Sequence, residues 1–216
     1  MNLSGKKVFF LGDSITEGVG TSCEEARYTY LLQKQAGFSE MKNYGISGTR
    51  IARQQKLNPE TMHWDTNAFT ERFDRMEEGA DVVIVFGGTN DWGHGDAPFG
   101  CDEDRTIDTY CGALHCLMRG LIEKYPEAAI CFVTPLHREG DLCPNDSNQL
   151  PLKAYVEKIK EYAGQYSLPV LDLYATAGIQ PNIEAQKKLF CPDGLHPNDL
   201  GNVRIADRLQ AFLEAL

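Results

Sequence analysis

Three uninterrupted apolar runs, at 8–11, 82–86 and 130–133, and a fourth at 170–173 broken only by Asp172, have glycine, proline or charge close by. Runs this short, with no polar residue alternating through them, predict strands covered on both faces, the situation of a parallel sheet. Between the runs the period changes. Ile107, Cys111, Leu114, Met118, Leu121 and Ile122 recur at threes and fours until Pro126, which predicts an amphipathic helix ending there. Helical patterns also mark 24–36, 68–78, 151–164 and 198–215, and a shorter strand is expected near 41–44. This alternation predicts an α/β fold: a three-layer α/β/α sandwich around a parallel five-stranded sheet of order 2-1-3-4-5, with right-handed crossovers. In such a sheet chemistry collects at the carboxy ends of the strands.

The 216 residues fit one domain spanning 1–216, large enough to bury a core without disulfides or metal. No internal repeat, low-complexity tract or linker divides them. A formal charge of -10 disfavours nucleic acid and anionic membrane partners, and the basic pairs are confined to Lys6-Lys7 and Lys187-Lys188. The seven cysteines are an odd number, with Cys131 inside a strand-like run and Cys111 on a helical stripe. They read as reduced, mostly structural thiols of a cytoplasmic protein. Only five apolar or glycine residues separate Lys7 from Asp13, too few for a signal-peptide core, and no apolar stretch approaches a membrane span.

Candidate chemistry falls at the predicted strand ends. Gly12-Asp13-Ser14 stands where the first apolar run stops and a polar helix start begins, so Ser14 is expected to be exposed at a strand's carboxy end, as a nucleophile would be. Ser14-Ile15-Thr16-Glu17 also matches a helix capping box. Far along the chain, Asp193-Gly194-Leu195-His196-Pro197 sets an acid three residues before an imidazole. Across the Gly194 turn, Asp193 can accept a hydrogen bond from one ring nitrogen, fix the tautomer and stabilise the imidazolium. Pro197 is a favoured first helical residue, which puts His196 near the amino end of the last helix, whose positive pole disfavours imidazolium. An ordinary Asp-Gly turn before a surface histidine is the alternative. Gly87-Gly88-Thr89-Asn90-Asp91 ends the third strand, where the Asn90 carboxamide can donate to an oxyanion or serve as a turn residue. In Asn43-Tyr44-Gly45-Ile46-Ser47-Gly48-Thr49, Gly48 either lets a backbone amide approach a ligand or makes a turn.

Taken in order, these blocks resemble the SGNH hydrolases, also called the GDSL esterase/lipase superfamily. Ser14 in GDSIT resembles the family's nucleophile, and Gly48 in NYGISGTR and Asn90 in GGTND look like its oxyanion donors. Asp193 and His196 in DGLHP match its acid and base. The matches run from residue 12 to residue 197, and Ile15 stands in place of the leucine in the family's name. The resemblance implies a flavodoxin-like sandwich that hydrolyses small-molecule esters through an acyl-enzyme, without metal or cofactor. The Ser14 and Gly48 amides and the Asn90 side chain would then form the oxyanion hole.

Rival readings lack residues they need. An α/β-hydrolase elbow requires glycine where Thr16 stands. A Walker loop started at Gly12 requires its second glycine at 17, where Glu17 stands, and the glycine that is present, Gly18, is followed by Val19 instead of lysine. His63, His94, His115, His137 and His196 show no metal-ligand spacing, and His115, beside Cys116, lies on the apolar-patterned helix. A lysophospholipase or thioesterase of the same fold remains an alternative, as does a non-catalytic nucleotide- or sugar-binding module. Asp13, Asp91, Trp92, His94 and Trp64 are candidate substrate contacts. Aromatic faces among polar groups suit sugar rings, so the expected substrate is a short acyl ester, such as an acetyl ester, of a carbohydrate or small polar metabolite. Trp64 and Trp92 packing their loops against the domain is the alternative.

Overall fold

The computed structural model describes residues 1–56 and 67–216. Its strands are β1 (Lys7–Gly12), β2 (Glu40–Gly45), β3 (Val82–Phe86), β4 (Ala129–Val133) and β5 (Val170–Leu171), all parallel and in the order β2-β1-β3-β4-β5 that the sequence predicts. The helices are α1 (Ser14–Glu17), α2 (Tyr28–Ala36), α3 (Phe69–Arg72), α4 (Thr89–Gly93), α5 (Tyr110–Lys124), α6 (Leu152–Gln165), α7 (Leu173–Thr176), α8 (Glu184–Phe190) and α9 (Asp199–Ala215).

Side-chain alternation divides each continuous apolar run between two cores. Phe9, Leu11, Val83, Val85, Ile130 and Phe132 point to one face and meet Leu114, Leu117 and Met118 of α5 and Val156 and Ile159 of α6. Val8, Phe10, Val82, Ile84, Phe86, Cys131 and Val133 point to the other, against Tyr28 and Leu32 of α2 and Ile205, Leu209 and Leu213 of α9. Each such fully buried aliphatic or aromatic side chain contributes about 1.5–3 kcal/mol of transfer free energy. Burial on both faces is why the runs carry no polar alternation.

Several boundaries differ from the sequence pattern, each for a local reason. The helix expected over 24–36 is a 3-10 turn at Glu24–Ala26 followed by α2, because Arg27 is extended and the Tyr28 amide donates to Asn202 Oδ1 at 2.9 Å. The pattern at 68–78 shortens to α3 and a 3-10 turn at Phe73–Arg75, broken at Arg72, whose φ is -134°. Thr109 caps α5, its side chain accepting from the Gly112 amide, which leaves Ile107 outside the helix. Asp172 caps α7 in the same way through the Ala175 amide, so Leu173 begins a helix instead of ending β5. The cap of α9 is Asn198, and Pro197 precedes the helix instead of opening it. Among the described residues no helix is long and apolar enough to cross a membrane.

Candidate active site

Ser14 and His196 are 182 positions apart, and packing of α9 on α2 brings them together. Polar ties fix the register of that packing. Ser22 donates from its amide and hydroxyl to the Asp199 carboxylate at 2.8 and 2.6 Å. Asn202 accepts from the Tyr28 amide and donates to the Pro197 carbonyl at 2.9 Å each. The C-terminal loop is thereby laid over the carboxy end of β1.

There Ser14 Oγ lies 3.0 Å from His196 Nε2, and His196 Nδ1 lies 2.7 Å from Asp193 Oδ2. Asp193 Oδ1 accepts the amides of Leu195 and His196 at 2.8 and 2.7 Å. Partial burial of Asp193 opposes its ionisation, but the hydrogen bonds from the His196 amide, the His196 ring and the Leu195 amide outweigh it and hold the carboxyl below its ordinary range. With Nδ1–H donated to this carboxylate, Nε2 is the ring nitrogen left to accept a proton from Ser14. Ser14 itself is only 5% exposed, in contrast to the exposure expected from its motif, because α1 begins directly at the strand end. The capping-box reading does not hold either. Asp13 is the cap, accepting from the Ile15 amide at 3.0 Å, while Glu17 reaches away to accept the Ser47 amide at 2.6 Å.

That Glu17 contact joins the Ser14 turn to the one carrying Gly48. Gly45 is a point of closest approach: a Cβ there would lie 2.2 Å from the Glu17 amide nitrogen, so the backbones pass only because the residue is glycine. Gly48 has φ +74°, and the carbonyl of the next residue, Thr49, accepts Asn90 Nδ2 at 3.0 Å. This bond occupies one amide hydrogen of Asn90 and orients the carboxamide; the second hydrogen remains a donor. Asn90 lies in the single turn α4, not in an irregular loop. Ser14, Gly48 and Asn90 thus sit at the carboxy ends of β1, β2 and β3.

The candidate substrate contacts are distributed differently. Asp13 is buried as a helix cap, and Asp91 is buried with its carboxylate accepting the Ile51 and Ala52 amides at 3.0–3.1 Å. Both carboxylates face backbone, a structural placement that does not present them to a ligand. Burial pushes Asp13 up to about 7, against the Ile15 hydrogen bond and with help from nearby Asp91. Burial likewise raises Asp91 to about 6, against its two backbone hydrogen bonds. Trp92 is largely buried and donates from Nε1 to the Leu150 carbonyl at 3.0 Å, so its ring packs a loop, as the alternative reading has it. His94 lines a cavity of about 470 Å³ shared with Trp92, Cys143, Asn145, Asp146 and Ser147. Its Nε2 is 3.9 Å from where a Cβ on Gly48 would stand, which places the cavity beside the Gly48 turn. Trp64 and His63 lie outside the described residues.

The sequence reading missed two arginines. Arg72 is buried and donates to the Gly12 carbonyl at 2.6 Å and the Tyr44 carbonyl at 2.5 Å, stitching the carboxy ends of β1 and β2 together. Arg138, on the segment after β4, donates to Thr89 beside Asn90. Their partners are mainly backbone carbonyls, with a threonine hydroxyl beside each, and leave no spacing signature in the sequence. Cys111, Cys131 and Cys191 are buried as structural thiols would be, whereas Cys23, Cys101 and Cys143 are exposed, and all seven are unpaired. Among the described residues no group of three histidine, cysteine or carboxylate side chains is arranged to hold a metal ion.

The chain matches the GDSL-like Lipase/Acylhydrolase family over residues 10–204. Among solved structures, a protein from Lactobacillus plantarum is 32% identical, with 98% of each chain covered and a TM-score of 0.85. A member of the lipolytic G-D-S-L family from Veillonella parvula shares the fold at 16% identity, covering 97% of this chain and 99% of its own, with a TM-score of 0.66. A two-domain esterase active on acetylated mannans is 22% identical, with a TM-score of 0.67, over 97% of this chain and 48% of the esterase. No curated protein matches the chain. A family match over nearly the whole length, on a five-stranded sheet of the matching order, identifies this chain as a member of the GDSL-like lipase/acylhydrolase family, a carboxylic ester hydrolase.

Proposed function

We propose that Ser14 is the nucleophile of a serine esterase acting on short acyl esters of carbohydrates or other small polar alcohols. The observation that carries the catalytic part is the continuous contact from Ser14 Oγ through the His196 ring to Asp193. His196 Nε2 takes the hydroxyl proton as Ser14 Oγ attacks the ester carbonyl, and the Asp193 carboxylate stabilises the resulting imidazolium. The tetrahedral oxyanion is received by the Ser14 and Gly48 amides and the free hydrogen of the Asn90 carboxamide. His196 then returns the proton to the departing alcohol. Water, activated by the same ring, releases the acyl group and restores Ser14.

The substrate class rests on the cavity beside Gly48. His94, Asn145, Asp146 and Ser147 contribute to a lining that suits hydroxyl-rich groups better than an alkyl chain. A two-domain esterase active on acetylated mannans, 48% of which this chain covers, has a similar fold, which supports the sugar-ester reading. A series of chromogenic esters of increasing acyl length tests the proposal, with kcat/KM expected to peak at about four carbons or fewer. A maximum at about eight carbons or more would replace it with a lysophospholipase or thioesterase reading. Acetylated oligosaccharides then test the alcohol side.

A further inference from the structure

The segment between β4 and α6 touches both halves of the candidate site through adjacent residues. The Glu139 amide donates to the Gly194 carbonyl at 2.8 Å, inside the turn that carries Asp193 and His196. One residue earlier, Arg138 Nη1 donates to the Thr89 carbonyl at 3.2 Å and the Thr89 hydroxyl at 3.3 Å, immediately before Asn90. The guanidinium carbon also lies 5.1 Å from the centre of the Trp92 ring, two residues after Asn90. Trp92 is held from its other end by Leu150, so the cation presses the turn against a fixed plate. A Cβ on Gly93 would stand 2.4 Å from Nη1, and glycine at that position leaves the guanidinium room.

The segment is itself anchored. His137 Nδ1 meets Asp141 Oδ2 at 2.6 Å, and Asn182 Nδ2 donates to Asp141 Oδ1 at 2.7 Å and to the Arg138 carbonyl at 3.2 Å. Asp13, Asp141 and Asp193 surround Arg138 electrostatically, yet among the described residues its hydrogen bonds go to Thr89, and its buried Nε has no acceptor. A cation taken partly out of water and aimed at a main-chain carbonyl is costly to hold there.

We propose that Arg138 is a positioning residue: it fixes Asn90 relative to the Ser14–His196–Asp193 chain, with the Glu139–Gly194 bond setting the second anchor point. The inference rests on the reading of Asn90 as an oxyanion donor. It follows from the sensitivity of such donors to placement, since a displacement of about 1 Å can cost on the order of a hundredfold in rate.

A double-mutant cycle tests it, with kcat counted per active site titrated by a phosphonate ester so that loss of folded protein does not enter. Arg138→Met is expected to lower kcat on neutral esters about 10–100-fold with KM changed less than about threefold. In the Asn90→Ala background the same substitution should cost less than about threefold, because its target is gone. Arg138→Lys provides the cycle should Arg138→Met not fold. Its ammonium cannot both donate to Thr89 and lie flat on Trp92, so it too should lose kcat in the presence of Asn90 and little in its absence. Equal costs in both backgrounds, or an unchanged kcat, would overturn the inference while leaving the oxyanion reading intact. A rise in KM confined to carboxylate-bearing esters, with neutral esters unaffected, would also overturn it and make Arg138 a reader of substrate charge. Full activity of Asn90→Ala itself would remove the reading on which the inference stands.

Discussion

Asp193 holds His196 through two separate atoms: Oδ2 faces ring Nδ1 at 2.7 Å, and Oδ1 accepts the backbone amide of the same histidine, also at 2.7 Å. The carboxylate therefore fixes the ring and the peptide that carries it as one unit. A third bond, from the Leu195 amide, closes the turn around Gly194, whose φ is +81°. An acid three residues from its imidazole can achieve this only by folding back on itself, which the left-handed glycine permits.

Asp193→Asn should separate charge and tautomer from turn geometry. The amide oxygen can still accept the Leu195 and His196 amides, so the turn should persist. The amide NH₂ would then face Nδ1, making Nδ1 the acceptor and placing the ring proton on Nε2, the wrong side for receiving one from Ser14. Turnover is expected to fall roughly 10⁴-fold with little change in KM. Retention of more than about a tenth of wild-type kcat would contradict the assigned role of Asp193.

The buried acid beside Ser14 makes stability depend on pH. Asp13 is raised from an ordinary 3.8 to about 7 and Asp91 to about 6, chiefly by burial. In the folded state these groups hold protons that the unfolded chain releases near its ordinary value, so stability falls as pH rises from about 4 to about 7. Asp193, held below its ordinary value, acts oppositely, its contribution being present above about pH 4 and lost at lower pH. Urea midpoints should be lower at pH 8 than at pH 5. Asp13→Asn, which keeps the Ile15 cap, should flatten that slope. A midpoint that climbs between these pH values in both proteins would contradict this account of Asp13.

Arg72 offers a test of how the strand ends are held together. Its guanidinium bonds to the Gly12 and Tyr44 carbonyls, and Arg72→Met would leave one buried and one partly buried acceptor without it. The substitution should cost about 3 kcal/mol, seen as a fall in Tm of about 6–12 °C. Calorimetry that finds a loss below about 1 kcal/mol would show that these bonds contribute little net stability.

The central strands were legible because burial on both faces strips them of polar residues: Val82–Phe86 is buried throughout. Helices with a full apolar stripe, such as α5 with Leu114, Met118 and Leu121, were legible for the complementary reason. α8 was not, since Phe190 is its one buried residue and Leu189 faces solvent. α4 was hidden by length, its Thr-Asn-Asp-Trp-Gly reading equally as a turn. In the candidate site, Ser14, Asp193 and His196 announce themselves through motif chemistry, and the contacts between them follow the reading. Asp13 and Asp91 share those motifs but face backbone amides, a distinction that depends on tertiary direction and is invisible in the order of residues. Arg72 and Arg138 were missed because any carbonyl can be their partner.

The account is tested most directly by where a covalent ester mimic attaches. Wild-type protein treated with a fluorophosphonate and digested for mass spectrometry should carry one phosphonyl group, on Ser14. Ser14→Ala should remain unlabelled, keep its Tm within about 2 °C, and lose at least about 10⁴-fold in ester turnover. Attachment at another residue, or a Ser14→Ala protein that still hydrolyses esters at a rate near wild type, would contradict the claim that the Ser14–His196–Asp193 contact is the catalytic centre.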